Sequence, residues 1–318
     1  MPVDGLLDFD GVTLSNINKL TLKQSRLEEQ RICEIALLAS EVASAAKDML
    51  DDGYGIYEVL SVISDASLDT VRAPHPGILP ENVSRISNRL GALLASDRAL
   101  FSELLVESLL ALGAPLKEAD FLLCQEGQQT FTYVKNLLAD EAYDVFSQDF
   151  SEPRLKYSST LVDAVSKVVQ GECGYCLVPF EERGGARITI VENLIFREDL
   201  KINSVTPVFG PEGSSDMKYA LLAKHFVAPS YRPDDDRYLE LRFKKDSSLP
   251  LSELLSAFSA FGASLYRVNT LVLEADESRS PYYSVVIRQE GADFTVTFAF
   301  LTLFSGAFTP VGIYKNLE

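Results

Sequence analysis

Residues Leu155 to Phe196, LKYSSTLVDAVSKVVQGECGYCLVPFEERGGARITIVENLIF, decide the fold class of the central part of this chain. The stretch contains a short apolar run, a helix predicted over LVDAVSKVV, a strand predicted over GYCLVPF and a second helix over ITIVENLIF. The apolar run FLLC, Phe121–Cys124, and a helix predicted near TYVKNLLADEAYDVF, Thr132–Phe146, precede it. Alternating strands and helices are typical of an α/β layer, in which helices cover a sheet. We therefore predict an α/β lobe over residues 116–227.

The chain before this lobe is predicted to be all-α. Residues 14–112 show helical periodicity with few internal breakers. Asp51-Asp52-Gly53 should end the first helix, and Pro80 should open the third, because proline is favoured in a first helical turn. Leucines recur on one face between Leu90 and Leu112, as they do in the core of a bundle. We predict a helical bundle over residues 1–115.

The last part of the chain is predicted to be a separate α+β module. A linker with two prolines and a run of acids, residues 228–237, precedes it. Residues 238–318 then show the βαββαβ order, from YLELRF to GAFTPVGIYKN. One segment conflicts with that order: FTVTFAFLTLF, Phe294–Phe304, has strand propensity where the module requires its second helix. The predicted protein is thus multidomain.

Composition disfavours several classes of partner. The chain has 318 residues, is 47% hydrophobic and carries 46 acidic against 29 basic residues, for a net charge of -17. Nucleic acids and anionic membranes are bound by Lys and Arg clusters, so neither is an expected partner. No apolar run approaches the roughly 20 residues that span a bilayer, and acids stand where a signal peptide carries bases. We expect a cytoplasmic protein.

Cysteine and histidine offer little material for a metal site. Cys173 and Cys176 form the single CxxC pair among four cysteines. If both lie on the predicted strand, their thiols should point to opposite faces, which favours a structural role over a redox couple. His75 and His225 are far apart in sequence, without acidic residues at ligand spacing. We therefore expect no metal and no cofactor.

Four stretches together resemble the P-proteins, in which a chorismate mutase domain precedes a prephenate dehydratase and a C-terminal ACT regulatory domain. The opening stretch, Leu155–Phe196, is similar to the dehydratase segment with Tyr-Gly-Val-Val-Pro and Pro-Ile-Glu-Asn-Ser. CQEGQQTFTYVKNLL resembles the dehydratase's opening loop Gly-Pro-x-Gly-Thr-Phe-Ser. YLELRF to GIYKNL resembles the ACT domain, and PHPGILPENVSRISNRL the mutase turn before its last helix. Such a protein would convert chorismate to prephenate and then to phenylpyruvate, with phenylalanine inhibiting through the ACT domain.

The resemblance assigns candidate substrate-binding residues in the dehydratase-like lobe, and several depart from the family pattern. Thr130 lies in the stretch that resembles the opening loop. Glu181, Arg183 and Arg187 lie where the family carries small hydrogen-bonding groups, and Lys218 aligns with an arginine. Met217 aligns with the catalytic threonine, and a thioether cannot protonate a leaving hydroxyl. The resemblance also implies that one lobe of the family's dehydratase is absent, because only a short connection containing GPEGSS joins LKINSVTPV to MKYALLA.

The flanking domains show similar departures. In the mutase-like part, only Arg26 and Arg31 of the long first helix are available to bind a substrate carboxylate. In the ACT-like part, the resemblance places a candidate effector site at Leu251, Gly262 and Asn269. Gly262 is kept where the family requires glycine, at the turn from a helix into the next strand.

Three hypotheses follow. The first is a P-protein homologue that has lost catalysis and binds a small aromatic or dicarboxylate metabolite as a regulatory protein of phenylalanine metabolism. The second is an active mutase or dehydratase with a site rebuilt from Arg183, Arg187 and Lys218, three cations expected near one cleft. The third is a homo-oligomeric structural protein. A homodimer is expected because such domains pair across two-fold axes.

Overall fold

The computed structural model describes residues 8–64, 80–125, 127–210, 216–227, 236–244, 249–272, 281–290, 293–306 and 308–315. Most of the predicted GPEGSS connection, residues 211–215, lies outside these ranges, as do residues 228–235 of the predicted linker.

The first part of the chain is helical, as predicted. Its first helix ends at Asp51 and its third begins at Pro80, the two boundaries that the sequence indicates. The helices pack through a shared apolar cluster that includes Val42, Leu60 and Leu105. The four helices described here are α1 Asp8–Asp51, α2 Ile56–Ser64, α3 Pro80–Gly91 and α4 Ala95–Ala111.

The rest of the described chain forms one nine-stranded sheet with helices on its faces. The strands are β1 Thr130–Val134, β2 Arg154–Ser158, β3 Tyr175–Glu182, β4 Lys201–Val208, β5 Met217–Ala223, β6 Asp236–Lys244, β7 Ser264–Leu271, β8 Tyr282–Glu290 and β9 Phe308–Tyr314. The helices are α5 Leu137–Phe146, α6 Leu161–Val169, α7 Thr189–Arg197, α8 Leu251–Ala260 and α9 Thr295–Phe304. The strand order is β2-β1-β3-β5-β4-β9-β6-β8-β7.

The central part is an α/β layer, as predicted, but its first strand is not where the apolar runs suggested. Strands β1, β2 and β3 are parallel, with α5 packed on one face and α6 and α7 on the other. The apolar run Phe121–Cys124 is not a strand: Phe121 ends a short 3-10 turn, and Cys124 makes one isolated bridge to Phe226. The strand β1 covers residues that the sequence analysis had placed in a helix, because the helix begins only after its cap at Asn136.

The stretch MKYALLA forms a strand, as predicted. This strand, β5, lies between β3 and β4 and is antiparallel to both. Residues 209–216 connect β4 to β5, so two strands that are consecutive in sequence are also neighbours in the sheet. GPEGSS therefore stands in the sequence between two strands that are antiparallel neighbours in the sheet.

The last part of the chain has the predicted βαββαβ order, and the strand propensity of Phe294–Phe304 is overridden. This segment forms α9, with Phe298, Phe300 and Leu301 fully buried. One side of α9 packs on the sheet, while Ala299 and Leu303 join the core of the N-terminal helices. Burial on all sides explains why no helical amphipathicity is visible in its sequence.

One strand pairing joins the two halves of the sheet in the described part of the chain. Strands β4 and β9 pair in parallel, with Ile202 opposite Gly312. A Cβ atom at Gly312 would lie 2.9 Å from the Ile202 Cβ, so the glycine permits the close approach. We call this junction between β4 and β9 the seam.

The two cysteines of the CxxC motif are buried, as a structural role requires, but the alternation argument behind that prediction was wrong. Cys173 precedes the first residue of β3, so only Cys176 lies on the strand. Both side chains lie in the same apolar cluster and both thiols are free. Burial raises the pKa of both thiols, that of Cys176 to about 12, which keeps them protonated and unreactive.

Candidate functional site

The α/β layer has a crevice where the strand order reverses. The chain runs β1-α5-β2-α6-β3, but the strands lie in the order β2-β1-β3, with α5 and α6 on opposite faces. The connections therefore diverge between β1 and β3 at the carboxyl ends of these strands. In open α/β sheets, ligands bind in the crevice at such a switch point.

A cavity of about 280 Å³ occupies this crevice. That volume is close to the lower end of the roughly 300–1,000 Å³ typical of ligand pockets, so it suits one small metabolite. The lining combines apolar side chains with three polar ones. The described residues that line it are Val134, Asn136, Ala139, Thr160, Leu161, Leu177, Pro179 and Tyr219.

The polar groups of this crevice lie at the N-termini of two helices. Asn136 caps α5, and its Oδ1 accepts a hydrogen bond of 2.9 Å from the backbone N–H of Ala139. Thr160 caps α6, and its Oγ1 accepts one of 3.0 Å from the Asp163 N–H. The Tyr219 hydroxyl donates to Asn136 Oδ1 at 3.3 Å. Two helix N-termini directed at one cavity favour an anionic group there.

The crevice lacks a group suited to proton transfer near neutral pH. Tyr219 is the one titratable side chain among the described residues that line the cavity, and burial raises its pKa above the usual value of 10. A general acid or base works best when its pKa is near the operating pH. The described lining residues can therefore hold a small acid with an apolar body, and none of them has a side chain that titrates near neutral pH.

Sequence reasoning placed Thr130 in the substrate site, and the structure places it elsewhere. Thr130 is the first residue of β1, at the opposite end of the strand from Val134, which lines the crevice. It lines a shallow polar groove of about 320 Å³ together with Gln129, Ser151 and Arg154. Within the stretch CQEGQQTFTY, residues Thr130 to Tyr133 belong to strand β1.

Three other predicted residues, Glu181, Arg187 and Lys218, do come together, but in a buried ion-pair network. Arg267 Nη1 lies 2.8 Å from Glu181 Oε2, and Lys218 Nζ lies 3.4 Å from Glu181 Oε1. Arg187 Nε is 3.5 Å from Glu181, and its Nη2 is 2.9 Å from Glu240 Oε2. We call the following charged residues near the seam the seam cluster: Glu181, Arg187, Glu192, Lys218, Glu240, Arg242 and Arg267.

The charges of the seam cluster shift the pKa values of its own members. Burial alone would raise the pKa of Glu181, but the hydrogen bond from Arg267 and the charges of Lys218, Arg267 and Arg187 hold it below its usual value. Burial opposes the charge on Arg187, yet Glu240, Tyr314 and Glu181 together raise its pKa. These charges are therefore directed at one another and not at a cleft.

Arg183 does not join Arg187 and Lys218. Its side chain is 76% exposed, and its Nε lies 3.4 Å from Asp216 at the surface. The expectation of three free cations around one cleft is thus wrong, because one is a surface residue and two are internally neutralised.

The candidates in the N-terminal helices are also engaged or distant. Arg31 pairs with Asp97 of α4 and donates a hydrogen bond of 2.7 Å to Ser96. Arg26 is exposed on the same helix, α1. The two arginines therefore do not converge on a pocket of the described residues.

The candidate effector residues lie on separate parts of the C-terminal module. Leu251 is the first residue of α8, and Gly262 follows that helix with a left-handed φ of 78°, the conformation for which glycine is favoured. At about 1.5 Å per residue, roughly 16 Å of helix separates the two. Asn269 lies on the edge strand β7.

Sequence reasoning missed Asn136, Thr160 and Tyr219, although a signal was present for the first two. Each directly precedes the first residue of a helix, where Asn and Thr act as N-caps. Residues that cap helices at the ends of neighbouring parallel strands meet at one edge of the sheet. Tyr219 carried no comparable signal, since its place depends on the pairing of β5 with β3.

Metal-ligand clusters and membrane-spanning helices are both absent from the described ranges. Within them, no group of three or more His, Cys, Asp or Glu side chains is placed to hold a metal ion. No helix of that same part of the chain is long and apolar enough to cross a membrane.

Comparison with known proteins finds likeness in structure but not in sequence. No protein-family model matches the chain, and no curated protein matches it. Prephenate dehydratase from Streptococcus mutans has 14% identity and a TM-score of 0.47, over 60% of this chain and 100% of that one. The structure described as GqqA, a novel type of quorum quenching acylases, has 16% identity and a TM-score of 0.44, over 59% and 96%.

A third solved structure is prephenate dehydratase in complex with L-Phe from Arthrobacter aurescens. It has 14% identity and a TM-score of 0.42, over 58% of this chain and 89% of that one. These values describe similarity in the path of the backbone, and they assign neither a ligand nor an activity to this chain.

Proposed function

We propose that this protein is a P-protein-like protein of phenylalanine metabolism that binds a small aromatic carboxylate in the β1–β3 crevice without converting it. One observation carries the proposal: the described residues that line the crevice offer a small, mostly apolar cavity at two helix N-termini, and no group that titrates near neutral pH. Such a site favours a ring and a carboxylate but supplies no acid or base.

The sequence motifs support the same assignment. The order of a helical part, a dehydratase-like lobe and a βαββαβ module is that of the P-proteins, and we keep the proposed boundaries at residues 115, 227 and 238. The absent second lobe removes the opposite wall of the cleft, so a bound ligand would not be enclosed for reaction. Binding without turnover fits a regulatory role.

The geometry does not favour an active mutase or dehydratase. A rebuilt site was expected to use Arg183, Arg187 and Lys218, but Arg187 and Lys218 are held by Glu181 and Glu240. Catalytic cations must be directed at the charge that develops on the substrate.

A homodimer remains part of the proposal, and α1 supports it. The face of α1 that packs in the bundle at Leu38 and Val42 continues toward the N-terminus with Leu20 and Leu27, because these positions repeat at helical spacing. Leu20 and Leu27 are 66% and 57% exposed. A second copy of the chain would cover them, and sedimentation velocity of the wild type and a Leu20→Glu/Leu27→Glu variant tests this: the variant should be monomeric.

Asn136→Asp tests the binding site. Aspartate caps a helix about as well as asparagine, so folding should be preserved, but a carboxylate in the crevice would repel a carboxylate ligand. We expect affinity for phenylpyruvate, prephenate or phenylalanine to fall at least about tenfold, which corresponds to about 1.4 kcal/mol. Isothermal titration calorimetry measures the change.

Asn269→Asp is the matched control, because it adds the same charge at the candidate effector site on β7. If the ligand binds in the crevice, only Asn136→Asp weakens it. Loss of binding in Asn269→Asp alone would instead assign the ligand to the ACT-like module and overturn the proposed site.

A further inference from the structure

The seam cluster contains more cations than carboxylates. Its positive groups are Arg187, Lys218, Arg242 and Arg267, and its three carboxylates leave an excess of 4 − 3 = 1 positive charge. The chain as a whole carries a net charge of -17, so the seam cluster is a locally positive region in a protein that is negatively charged overall.

Arg242 is the one cation of the seam cluster that forms no ion pair with a carboxylate of the described residues. It lies on β6, two residues after Glu240, so both side chains extend from the same face of the sheet. It is only 4% exposed, its Nε has no hydrogen-bond partner, and its guanidinium stands 5.9 Å from the Phe196 ring. Among the described residues, no carboxylate forms an ion pair with it. A buried, unpaired guanidinium is unfavourable unless an acceptor reaches it.

Arg187 carries a second unpaired nitrogen, and it contacts Glu240, which lies two residues before Arg242 on β6. Its Nε and Nη2 are held by Glu181 and Glu240, but its Nη1 is buried without a hydrogen-bond partner. The side chain is 6% exposed, and its guanidinium lies 3.6 Å from the centre of the Phe180 ring. Arg187 and Arg242 are close enough that the charge of Arg187 opposes that of Arg242.

We propose that a small monovalent anion, chloride or a carboxylate the size of formate, binds in the seam cluster between Arg187 Nη1 and Arg242 Nε. One negative charge matches the excess of one positive charge. A dianion such as sulfate would leave one negative charge uncompensated in a buried site, which is costly. The anion would accept hydrogen bonds from both unpaired nitrogens.

An anion could reach the site past the rim of the cluster. Lys218 and Arg267 have side chains 27% and 16% exposed, so both lie near the surface. The Gly184-Gly185 turn lies over this rim, and a Cβ atom at Gly185 would be 3.4 Å from Arg267 Nη2. The two cations at the rim would attract an anion toward the interior.

This site is separate from the β1–β3 crevice, so the two proposals fail independently. Anion binding at the seam would stabilise the junction of the two halves of the sheet. The measurement is the thermal midpoint of the full chain in sodium chloride, sodium formate or sodium gluconate at equal ionic strength, since gluconate is too large to enter. We expect chloride and formate to raise the midpoint by about 3–5 °C at saturation.

Two variants identify the residues responsible. Arg242→Gln removes the unpaired guanidinium, and its midpoint should be the same in chloride and gluconate. Arg183→Gln removes an exposed arginine near the cluster and should keep the chloride effect of the wild type. Equal midpoints of the wild type in chloride and gluconate would overturn the proposal, as would a full chloride effect in Arg242→Gln.

Bromide gives a test that needs no variant, in case Arg242→Gln does not fold. Crystals of the wild type soaked in sodium bromide should show an anomalous difference peak between Arg187 and Arg242. Bromide bound only at surface positions would refute the site.

Discussion

Replacing Glu240 by glutamine should strongly destabilise the protein. Glu240 is 1% exposed and is the carboxylate that receives Arg187 Nη2 at 2.9 Å. The hydroxyl groups of Ser284 and Tyr314 each donate to it at 3.4 Å. Glutamine has nearly the same shape, so the substitution removes the charge without creating a cavity.

The expected magnitude follows from the Arg187–Glu240 distance. Two unit charges 2.9 Å apart attract by about 6 kcal/mol at an effective dielectric constant of about 20. The amide oxygen of glutamine can retain a hydrogen bond to Arg187, which recovers part of this energy. Breaking one partner of a buried pair typically costs about 3–5 kcal/mol, and we expect the loss in the free energy of unfolding to fall in that range.

Urea denaturation followed by circular dichroism measures this loss. Asp51→Asn is the control, because it removes a carboxylate 2.7 Å from Lys47 that is 64% exposed. Exposed pairs contribute about 0–1 kcal/mol, so the control should change little. A loss below about 1 kcal/mol for Glu240→Gln would refute the reasoning that the seam cluster is held by buried charge pairs.

Two further predictions concern the seam and its titration. Gly312→Ala should destabilise by about 1–3 kcal/mol in urea denaturation, because its Cβ would lie 2.9 Å from Ile202; Gly55→Ala, with no atom within 4 Å of its Cβ, should not, and equal losses would contradict a tight seam. Glu181→Gln should change the pH dependence of stability. The pKa of Glu181 is lowered in the folded protein, so its contribution is present above the usual pKa of 4.5 and is lost as the pH falls below it. The difference in unfolding free energy between wild type and variant should therefore shrink from pH 6 to pH 3, and a constant difference would show that Glu181 is not stabilised by its cations.

Local sequence signals predicted most of the elements. The break after Asp51 and the proline at residue 80 fixed two helix boundaries, and the β-α-β alternation after residue 150 predicted the α/β layer. The βαββαβ order was also visible. These features depend on periodicity, caps and turns, which are properties of short segments.

Two of the failures have different causes. Phe294–Phe304 forms a helix because the sheet and the N-terminal helices bury it on opposite sides, and the strand propensity of the segment does not reveal this. Thr130 is the start of a strand, TFTYV, whose residues all favour strands, but the resemblance aligned it on a loop.

The candidate site was only partly predictable. Arg187 and Lys218 were predicted to lie near one cleft together with Arg183, but their ion pairs with Glu181 and Glu240 were not predicted. Arg187 meets Glu240 53 residues later in the chain, through pairing of strands across the seam. The two halves of the sheet were predicted as separate units, so no sequence pattern brought these charges together.

The most direct test of the central claim is proton NMR of the purified protein mixed with prephenate, with chorismate in a parallel sample. We predict saturation transfer from protein to prephenate in the wild type, a loss of that transfer in Asn136→Asp, and no change in the amount of either compound above the rate without protein. Formation of phenylpyruvate, or conversion of chorismate, at a rate that depends on protein concentration would contradict binding without catalysis.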